Sequence, residues 1–289
     1  MNKNELSVLQ QIVNCDVFAL HDPGSTDWQS AVQHVRSELR QQGCCVLSDF
    51  IRPQILNELE QQGEALAPDA YYTVETVNAY NTDPSQPLSA EHPAQISFER
   101  GNAFVARDLI PENYLISLLY THPLFKQFLA ACFEMDTLYE LSDPLAGLCM
   151  NVLQADREHP WHFDTNEFTV SLLTKSANQG GVFQYCPNIR TPEQENLDDV
   201  HAVITRQAPQ RIQHLDLKCG DLQLFMGRYS LHRVSTVQGE KERHTAIFAY
   251  TKLPDVIGSV ERTRQLFGRV LPEHYAAQHN SARSDKLMD

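Results

Sequence analysis

The sequence predicts an α+β protein in which a sandwich or jelly roll of short strands is flanked by helices. Up to about residue 140 the apolar residues recur with helical spacing, and from about residue 145 they form short strand-like runs. Seven such runs fall within about 105 residues, which is typical of a sandwich or jelly roll. The 289 residues, 42% of them hydrophobic, form an ordinary globular chain without a linker rich enough to separate domains.

The helical part begins with a segment that Ser25 or Thr26 can cap and that Gly43 can end. A short strand is predicted over 44–50, and a second helix begins at Pro53, a residue favoured in the first turn. A strand between two helices indicates an α/β flank to a larger core.

Residues 67–100 are rich in Pro, Asn and Asp, and we expect a lid or an irregular loop there, with strand character at 71–77. Helical spacing returns at 114–120 and 124–133. The apolar faces of these two helices need a sheet to cover.

The strand-like runs follow this helical part. They span 147–153, 168–173, 181–185, 212–217, 222–226, 232–237 and 244–250. One helical insert interrupts them at 192–203, and a last helix is predicted over 259–267, outside the strands.

The net charge of −14 gives the protein a mean potential that repels phosphate backbones and anionic lipids, so we expect no nucleic-acid partner. No apolar run approaches the roughly 18 residues of a membrane span, and the first residues lack a signal-peptide pattern. The seven cysteines are odd in number and contain no CxxC pair, which is typical of a reducing compartment. We therefore expect a cytoplasmic protein with no membrane association.

A candidate metal site begins with His162 and Asp164, just before a strand-like run. In extended backbone, residues two apart point to the same face, so an imidazole and a carboxylate can reach one ion. His232 follows 70 residues later, at the start of another run, which leaves enough chain for several strands to return to the site. This spacing predicts a triad of two histidines and one carboxylate.

A second HxD sequence, His214-Leu215-Asp216, lies only 18 residues before His232. That separation is too short to build a barrel wall between ligands. We interpret His214 as a half-exposed strand residue.

Arg243 lies 11 residues after His232, and Thr245 shares its face of the next predicted strand. A guanidinium can hold a carboxylate with two parallel hydrogen bonds, and an adjacent hydroxyl adds a third polar group. The pair therefore indicates a cosubstrate with one carboxylate on the metal and another on Arg243.

Together these residues resemble the Fe(II)/2-oxoglutarate-dependent dioxygenases, whose pattern is HxD, a distant His and then Arg-x-Ser/Thr. The matching residues are His162, Asp164, His232, Arg243 and Thr245. The resemblance covers about residues 140–255 and implies a cupin-like double-stranded β-helix. It also implies Fe(II), 2-oxoglutarate and O2 as cofactors, with succinate and CO2 as products beside the oxidised substrate.

On this resemblance residues 1–289 form a single catalytic domain. A mainly helical flank and lid covers 1–140, the jelly-roll core 141–255, and a helical tail 256–289. A homodimer is compatible with the sequence.

Three segments resemble the branch of the superfamily that halogenates or hydroxylates free amino acids such as lysine and ornithine. They are Asp143-Pro144, the residues 161–164, and the residues 180–190. Halogenases of that branch carry Gly or Ala where Asp164 stands, which leaves a metal position open for chloride. With a carboxylate at 164, hydroxylation or another oxidation such as desaturation is expected.

Further candidates come from their positions along the chain. Asn151 precedes the HxD turn and can donate to a 2-oxoglutarate oxygen, although a bond to a neighbouring loop fits it equally. The candidates for substrate binding are Arg100 for an α-carboxylate, Glu140, Asp143 and Glu167 for an amine, and Trp161 as a pocket wall.

Two alternatives to a free-amino-acid hydroxylase stay open. A protein or peptide side-chain hydroxylase would need an open groove instead of a small pocket. The second alternative is a jelly-roll module that binds a metal without oxidising a substrate, since the same ligands suit Zn²⁺. Arg243 with Thr245 favours the enzyme, because a zinc site does not require them.

Overall fold

The computed structural model describes residues 3–81, 87–277 and 287–288. Within these ranges the chain forms nine α-helices. They are α1 (Lys3–Ile12), α2 (Cys15–Phe18), α3 (Thr26–Gln42), α4 (Leu56–Leu66), α5 (Leu115–Tyr120), α6 (Pro123–Cys132), α7 (Leu197–Ile204), α8 (Val260–Phe267) and α9 (Pro272–Ala277).

The strands of the same ranges are all paired antiparallel. They are β1 (Cys44–Leu47), β2 (Tyr71–Val77), β3 (Phe98–Val105), β4 (Tyr139–Glu140), β5 (Leu148–Leu153), β6 (His159–His162), β7 (Thr169–Lys175), β8 (Gln179–Gly180), β9 (Phe183–Cys186), β10 (Gln213–Leu215), β11 (Leu222–Phe225), β12 (Leu231–Val234), β13 (Val237–Gln238), β14 (Arg243–Phe248) and β15 (Tyr250–Thr251).

Two sheets form the jelly roll. The larger has the order β1-β11-β7-β14-β5-β3-β2, and the smaller has the order β10-β9-β12-β6. Many neighbouring strands, such as β11 and β7 or β14 and β5, are far apart in the chain, as expected of a double-stranded β-helix. Side chains of both sheets pack between them, including Leu153 and Phe225 of the larger and Phe183 and Tyr185 of the smaller.

The opposite face of the larger sheet is covered by helices. Leu59 of α4, Leu119 of α5 and Phe125 of α6 are buried in one cluster with sheet residues such as Met150 and Val170. Burying an apolar side chain of this size contributes about 1.5–3 kcal/mol, so this layer supplies much of the stability. The helical flank thus serves as the outer layer of the jelly roll.

The termini of α3 follow the sequence signals. Ser25 accepts a hydrogen bond from the backbone N–H of Trp28, which satisfies one of the free donors of the first turn. Gly43 ends the helix at φ +64°, a conformation that glycine adopts without strain. Pro53 starts a 3₁₀ turn, Pro53–Ile55, and α4 begins one residue later.

The larger sheet extends beyond residues 141–255. It includes β1, which pairs with β11, and β2 and β3, which extend the edge next to β5. Part of the segment expected to be a lid or irregular loop is therefore sheet at 71–77 and from residue 98 on. Residues 82–86 of that segment lie outside the described ranges.

The strand runs differ from prediction mainly in β6, which the sequence pattern missed. Pro160 occurs within it, and its length of four residues gives little alternation to recognise. The helical insert is shorter than predicted, at Leu197–Ile204.

Candidate metal centre

His162, Asp164 and His232 converge as predicted. Their potential ligand atoms all lie within 4.8 Å of one another. Nε2 of His162 is 3.8 Å, and Nε2 of His232 is 3.5 Å, from Oδ1 of Asp164. The two histidines are directly opposite each other on β6 and β12, so sheet pairing itself brings two of the three ligands together.

The hydrogen bonds of the two histidines orient their rings. Nδ1 of His162 lies 2.8 Å from the carbonyl oxygen of Pro160, and Nδ1 of His232 lies 2.9 Å from that of Ser230. A carbonyl can only accept, so each Nδ1 donates, and the neutral ring keeps its lone pair on Nε2. Burial holds the pKa of His162 well below its usual value, which favours this neutral form.

Asp164 is held by its neighbours in a geometry that leaves one oxygen toward the histidines. Thr169 donates a hydrogen bond of 2.7 Å to Oδ2, and the backbone N–H of Asp164 donates to the carbonyl of Gly227. Burial alone would raise the pKa of this carboxyl, but the two histidines and the Thr169 hydroxyl outweigh it and hold the pKa below its usual range. Asp164 is therefore a carboxylate at neutral pH.

Gly227 makes room for this carboxylate. A Cβ atom added at residue 227 would lie 1.9 Å from Oδ2 of Asp164. No side chain fits there without displacing the carboxylate.

Arg243 and Thr245 lie on the same face of β14, as predicted. Arg243 is buried, and its Nη1 donates a hydrogen bond of 2.5 Å to Oγ1 of Thr245. Among the described residues no carboxylate forms an ion pair with Arg243. Burial lowers its pKa to about 10, which still leaves it charged at neutral pH, so the site holds a cation that an anionic ligand would neutralise.

Asn151 shares that face, since it is paired with Thr245 across β5 and β14. Its amide donates to the carbonyl of Ala103 at 3.1 Å and to the side chain of Asn102. The bond to a neighbouring strand thus occupies its amide nitrogen.

His159 joins the site, although no sequence pattern assigned it a role. Its ring stacks on that of His162 with 4.0 Å between centroids and 8° between planes, and its Nδ1 lies 3.3 Å from the amide of Asn102. Four residues of β6, 159–162, lie opposite three of β12, 232–234, which is a bulge that turns His159 and His162 to the same side. Strand alternation alone would have placed them on opposite faces.

Arg100 lies on the same face of β3 as Asn102 and is almost fully buried. Its Nη2 is 2.5 Å from Oε2 of Glu75, the residue opposite it on β2. Arg262 of α8 is close enough for its charge to interact with Arg100 and Asp164; burial first, and then Arg100, lower its pKa to about 10. Glu75 and Arg262 are thus two charged residues of this face that sequence reasoning missed, because no local pattern links β2 or α8 to the triad.

Four other candidates are engaged away from the triad. Glu140 pairs with Lys126 at 2.6 Å, and Glu167 pairs with Lys252 at the surface. Asp143 is fully buried and accepts bonds from backbone N–H groups of neighbouring loops. Trp161 packs in the apolar cluster behind the smaller sheet, which is the core role of an aromatic residue.

The donor set fits Fe(II). Two imidazoles and one carboxylate are the facial ligand set of non-haem iron, and both imidazoles present Nε2 lone pairs to a common point. Within the described part of the chain this is the only His, Cys, Asp or Glu group arranged to hold a metal. The second HxD sequence does not form such a group.

Comparison with protein families also places the chain. The model of a family described as Halogenase D matches residues 27–267, which is most of the chain and includes the triad and Arg243. No curated protein matches the sequence.

Solved structures show the same fold at low identity. An oxidoreductase of the 2OG-Fe(II) oxygenase family from Burkholderia pseudomallei is 16% identical, with 78% of this chain and 92% of that chain covered and a TM-score of 0.50. AviO1 from Streptomyces viridochromogenes Tue57 is 14% identical, with coverages of 77% and 96% and a TM-score of 0.53. The carbocyclase SnoK from nogalamycin biosynthesis is 14% identical, with coverages of 83% and 92% and a TM-score of 0.52. These likenesses confirm the predicted fold class.

A helix long and apolar enough to cross a bilayer does not occur among the described residues.

Proposed function

The chain belongs to the Halogenase D family, and we propose that it is an Fe(II)- and 2-oxoglutarate-dependent dioxygenase that hydroxylates an unactivated C–H bond of a free amino acid or a close derivative. The observation that carries the proposal is the convergence of His162, Asp164 and His232 beside the buried Arg243. The cofactors are Fe(II), 2-oxoglutarate and O2, and the coproducts are succinate and CO2.

The roles of the chain's residues follow from their positions. The two Nε2 atoms and a carboxylate oxygen of Asp164 would hold the iron, leaving the opposite face free of protein ligands. O2 would be the oxidant of the C–H bond, and Fe(II) and 2-oxoglutarate, when bound, would supply the metal that activates it and two of the electrons that it takes up. Arg243 neutralises the distal carboxylate of 2-oxoglutarate, and Thr245 fixes the guanidinium that does so.

Asp164 favours hydroxylation over halogenation within this family. A carboxylate at 164 fills the coordination position that a halide would need. Thr169 and Gly227 keep that carboxylate in place, so the surrounding residues are adapted to it.

For the substrate we propose a free amino acid whose carboxylate binds to Arg100 and whose amino group binds to Glu75. These two residues lie opposite each other on the face that leads through Asn102 and His159 to the triad. Lysine and ornithine are the first candidates, on the resemblance of residues 180–190 to the amino-acid branch. Glu140, Asp143 and Glu167 are engaged away from this face, whereas Glu75 pairs with Arg100 on the face itself, and this position supports Glu75 as the partner of the amino group.

The remaining assignments stay predictions: a small-molecule substrate, no nucleic-acid or membrane partner, a cytoplasmic location and a homodimer. The net charge of −14 supports the absence of nucleic-acid binding.

The test is substrate-dependent succinate formation. The protein is loaded with Fe(II) and 2-oxoglutarate without oxygen, exposed to O2, and screened against the standard amino acids and ornithine. We expect one or a few of them to raise succinate formation and to gain one oxygen atom by mass spectrometry. His162→Ala should remove this activity, and His214→Ala, in the exposed second HxD sequence, should not.

Two outcomes would reject the proposal. If peptides but no free amino acid stimulate turnover, the protein is a peptide side-chain hydroxylase. If nothing stimulates turnover in iron-loaded protein and no visible Fe(II)-2-oxoglutarate absorption forms without oxygen, the metal-binding module is the better description.

A further inference from the structure

The turn after β9, residues 187–190, contacts the chain segments before and after two of the metal ligands. Asn188 donates its backbone N–H to Oγ of Ser230, whose own carbonyl accepts from Nδ1 of His232. Arg190 donates its backbone N–H to the carbonyl of Tyr229. This turn therefore supports the segment that leads into His232.

The Arg190 side chain is fully buried; its Nε and Nη1 have hydrogen-bond partners, whereas its Nη2 has none among the described residues. Its Nε donates a 2.6 Å hydrogen bond to the carbonyl of Arg228. Nη1 lies 3.0 Å from Oε2 of Glu195, which balances the charge, and 3.0 Å from the carbonyl of Met288. A buried guanidinium with this many fixed partners has one available orientation.

The flat face of the same guanidinium lies on the ring of Phe163. The distance from Cζ to the ring centroid is 3.7 Å, which is stacking contact. Phe163 is the residue between the ligands His162 and Asp164, and its backbone N–H is bonded to Ala79. One side chain thus touches both ligand-bearing segments.

The two segments also contact each other directly. Asp164 donates its N–H to Gly227, and Arg228 donates from Nη1 to the carbonyl of Thr165 at 3.3 Å. These bonds join the two segments, and Arg190 contacts both of them, through the Phe163 ring and through the Arg228 carbonyl.

We propose that Arg190 is a positioning residue for the metal centre, which sets the Asp164-bearing turn and the His232-bearing segment at the angle where their ligand atoms meet. The inference rests on the metal site of the proposed function and is independent of the substrate. Lysine in place of Arg190 would keep the positive charge beside Glu195, but it would lose the planar surface on Phe163 and the directed bond to Arg228.

The test measures metal binding in the absence of turnover. Co(II) is titrated into the metal-free protein, its Kd and visible absorption spectrum are recorded, and thermal unfolding of the metal-free protein is followed separately. Arg190→Lys should raise the Kd by about 10-fold or more and change the shape of the Co(II) spectrum. Arg211→Lys, in the exposed pair with Asp199, is the matched control and should behave as the parent.

A merely structural role gives a different result. If Arg190→Lys lowers the unfolding temperature but leaves both the Kd and the spectrum unchanged, the proposal is overturned. Should Arg190→Lys fail to fold, Phe163→Leu removes the stacked ring while leaving the bonds of Arg190 in place. An altered Co(II) spectrum in Phe163→Leu supports the proposal, and a parental spectrum rejects it.

Failure of this inference can be told from failure of the proposed function. If the parent itself does not bind Co(II), the metal site is wrong and both are rejected. If parent and variants bind alike, only the role of Arg190 is rejected.

Discussion

At the scale of single residues, the proposed chemistry depends on two side chains. Asp164 lies with His162 and His232 in the candidate ligand set, and in the proposed function its carboxylate occupies the position that a halide would need. Arg243 places a positive charge in a buried site where no described carboxylate neutralises it. Each role leads to a separate measurement.

We expect Asp164→Ala to reduce hydroxylation at least about 100-fold, since removing a metal ligand weakens iron binding and opens a coordination position. In the presence of chloride, that position becomes available to a halide. Product masses should be measured with and without chloride. The control is Asp216→Ala, the exposed aspartate of the second HxD sequence. Full hydroxylation by Asp164→Ala would show that this residue is not a ligand.

We expect Arg243→Ala to raise the KM for 2-oxoglutarate much more than the KM for the amino acid. A lost charge-assisted pair costs about 2–5 kcal/mol, which corresponds to a rise of about 30-fold or more. Initial rates at varied concentrations of each substrate give both constants. Arg157→Ala, in the surface pair with Glu99, is the control. Equal increases in the two constants would assign Arg243 to a different role.

At the scale of elements, two local irregularities build the centre. The bulge in β6 turns His159 toward His162, and the glycine turn between β11 and β12 lets the backbone approach Asp164. The pairing of β6 with β12 places His162 directly opposite His232. Regular strands alone would not give this arrangement.

The glycine turn can be tested with Gly227→Ala. The added methyl group would overlap Oδ2 of Asp164, so the carboxylate must move. We expect the Kd for Co(II) to rise about 10-fold or more while the protein stays folded by circular dichroism. Gly24→Ala is the control for a destabilising glycine-to-alanine change away from the metal site, because its φ of +89° disfavours a side chain although no atom lies within 4 Å of the added methyl group. Unchanged affinity in Gly227→Ala would mean that the turn adapts.

At the scale of the whole molecule, the helical layer encloses a titratable group. Strand alternation turns His244 away from Arg243, and the His244 side chain is fully buried beneath α4. Burial lowers its pKa, against the opposing effect of the hydrogen bond to Glu242. The folded protein thus favours the neutral ring.

This burial predicts a loss of stability in acid. The unfolded chain binds a proton at His244 near pH 6.5, while the folded chain resists it, so the contribution is present above that pH and lost as the pH falls through the folded pKa. The free energy of unfolding of His244→Gln should therefore fall less steeply than that of the parent below about pH 6.5. Urea unfolding at several pH values measures this. His214→Gln, at an exposed site, should follow the parent, and parallel curves for all three proteins would refute the prediction.

The sequence by itself determined the fold class, and it predicted the residues that the structure brings together as a candidate metal triad and as the Arg243–Thr245 pair. Each of these depends on strand alternation and on spacing along the chain, which are local properties that one sequence displays. Strands over Leu148–Leu153 and Leu222–Phe225 were predicted for the same reason.

Only the tertiary structure decided which other charged residues reach the site. Glu140 and Asp143 have the composition of amine-binding residues but are engaged in packing and loop contacts, whereas Glu75 and Arg190 reach the site face and the ligand turn from distant parts of the chain. The physical reason is that such contacts depend on how loops and sheet edges pack. Packing is set by the sum of many long-range interactions, and it leaves no periodic signal near the residues it brings together.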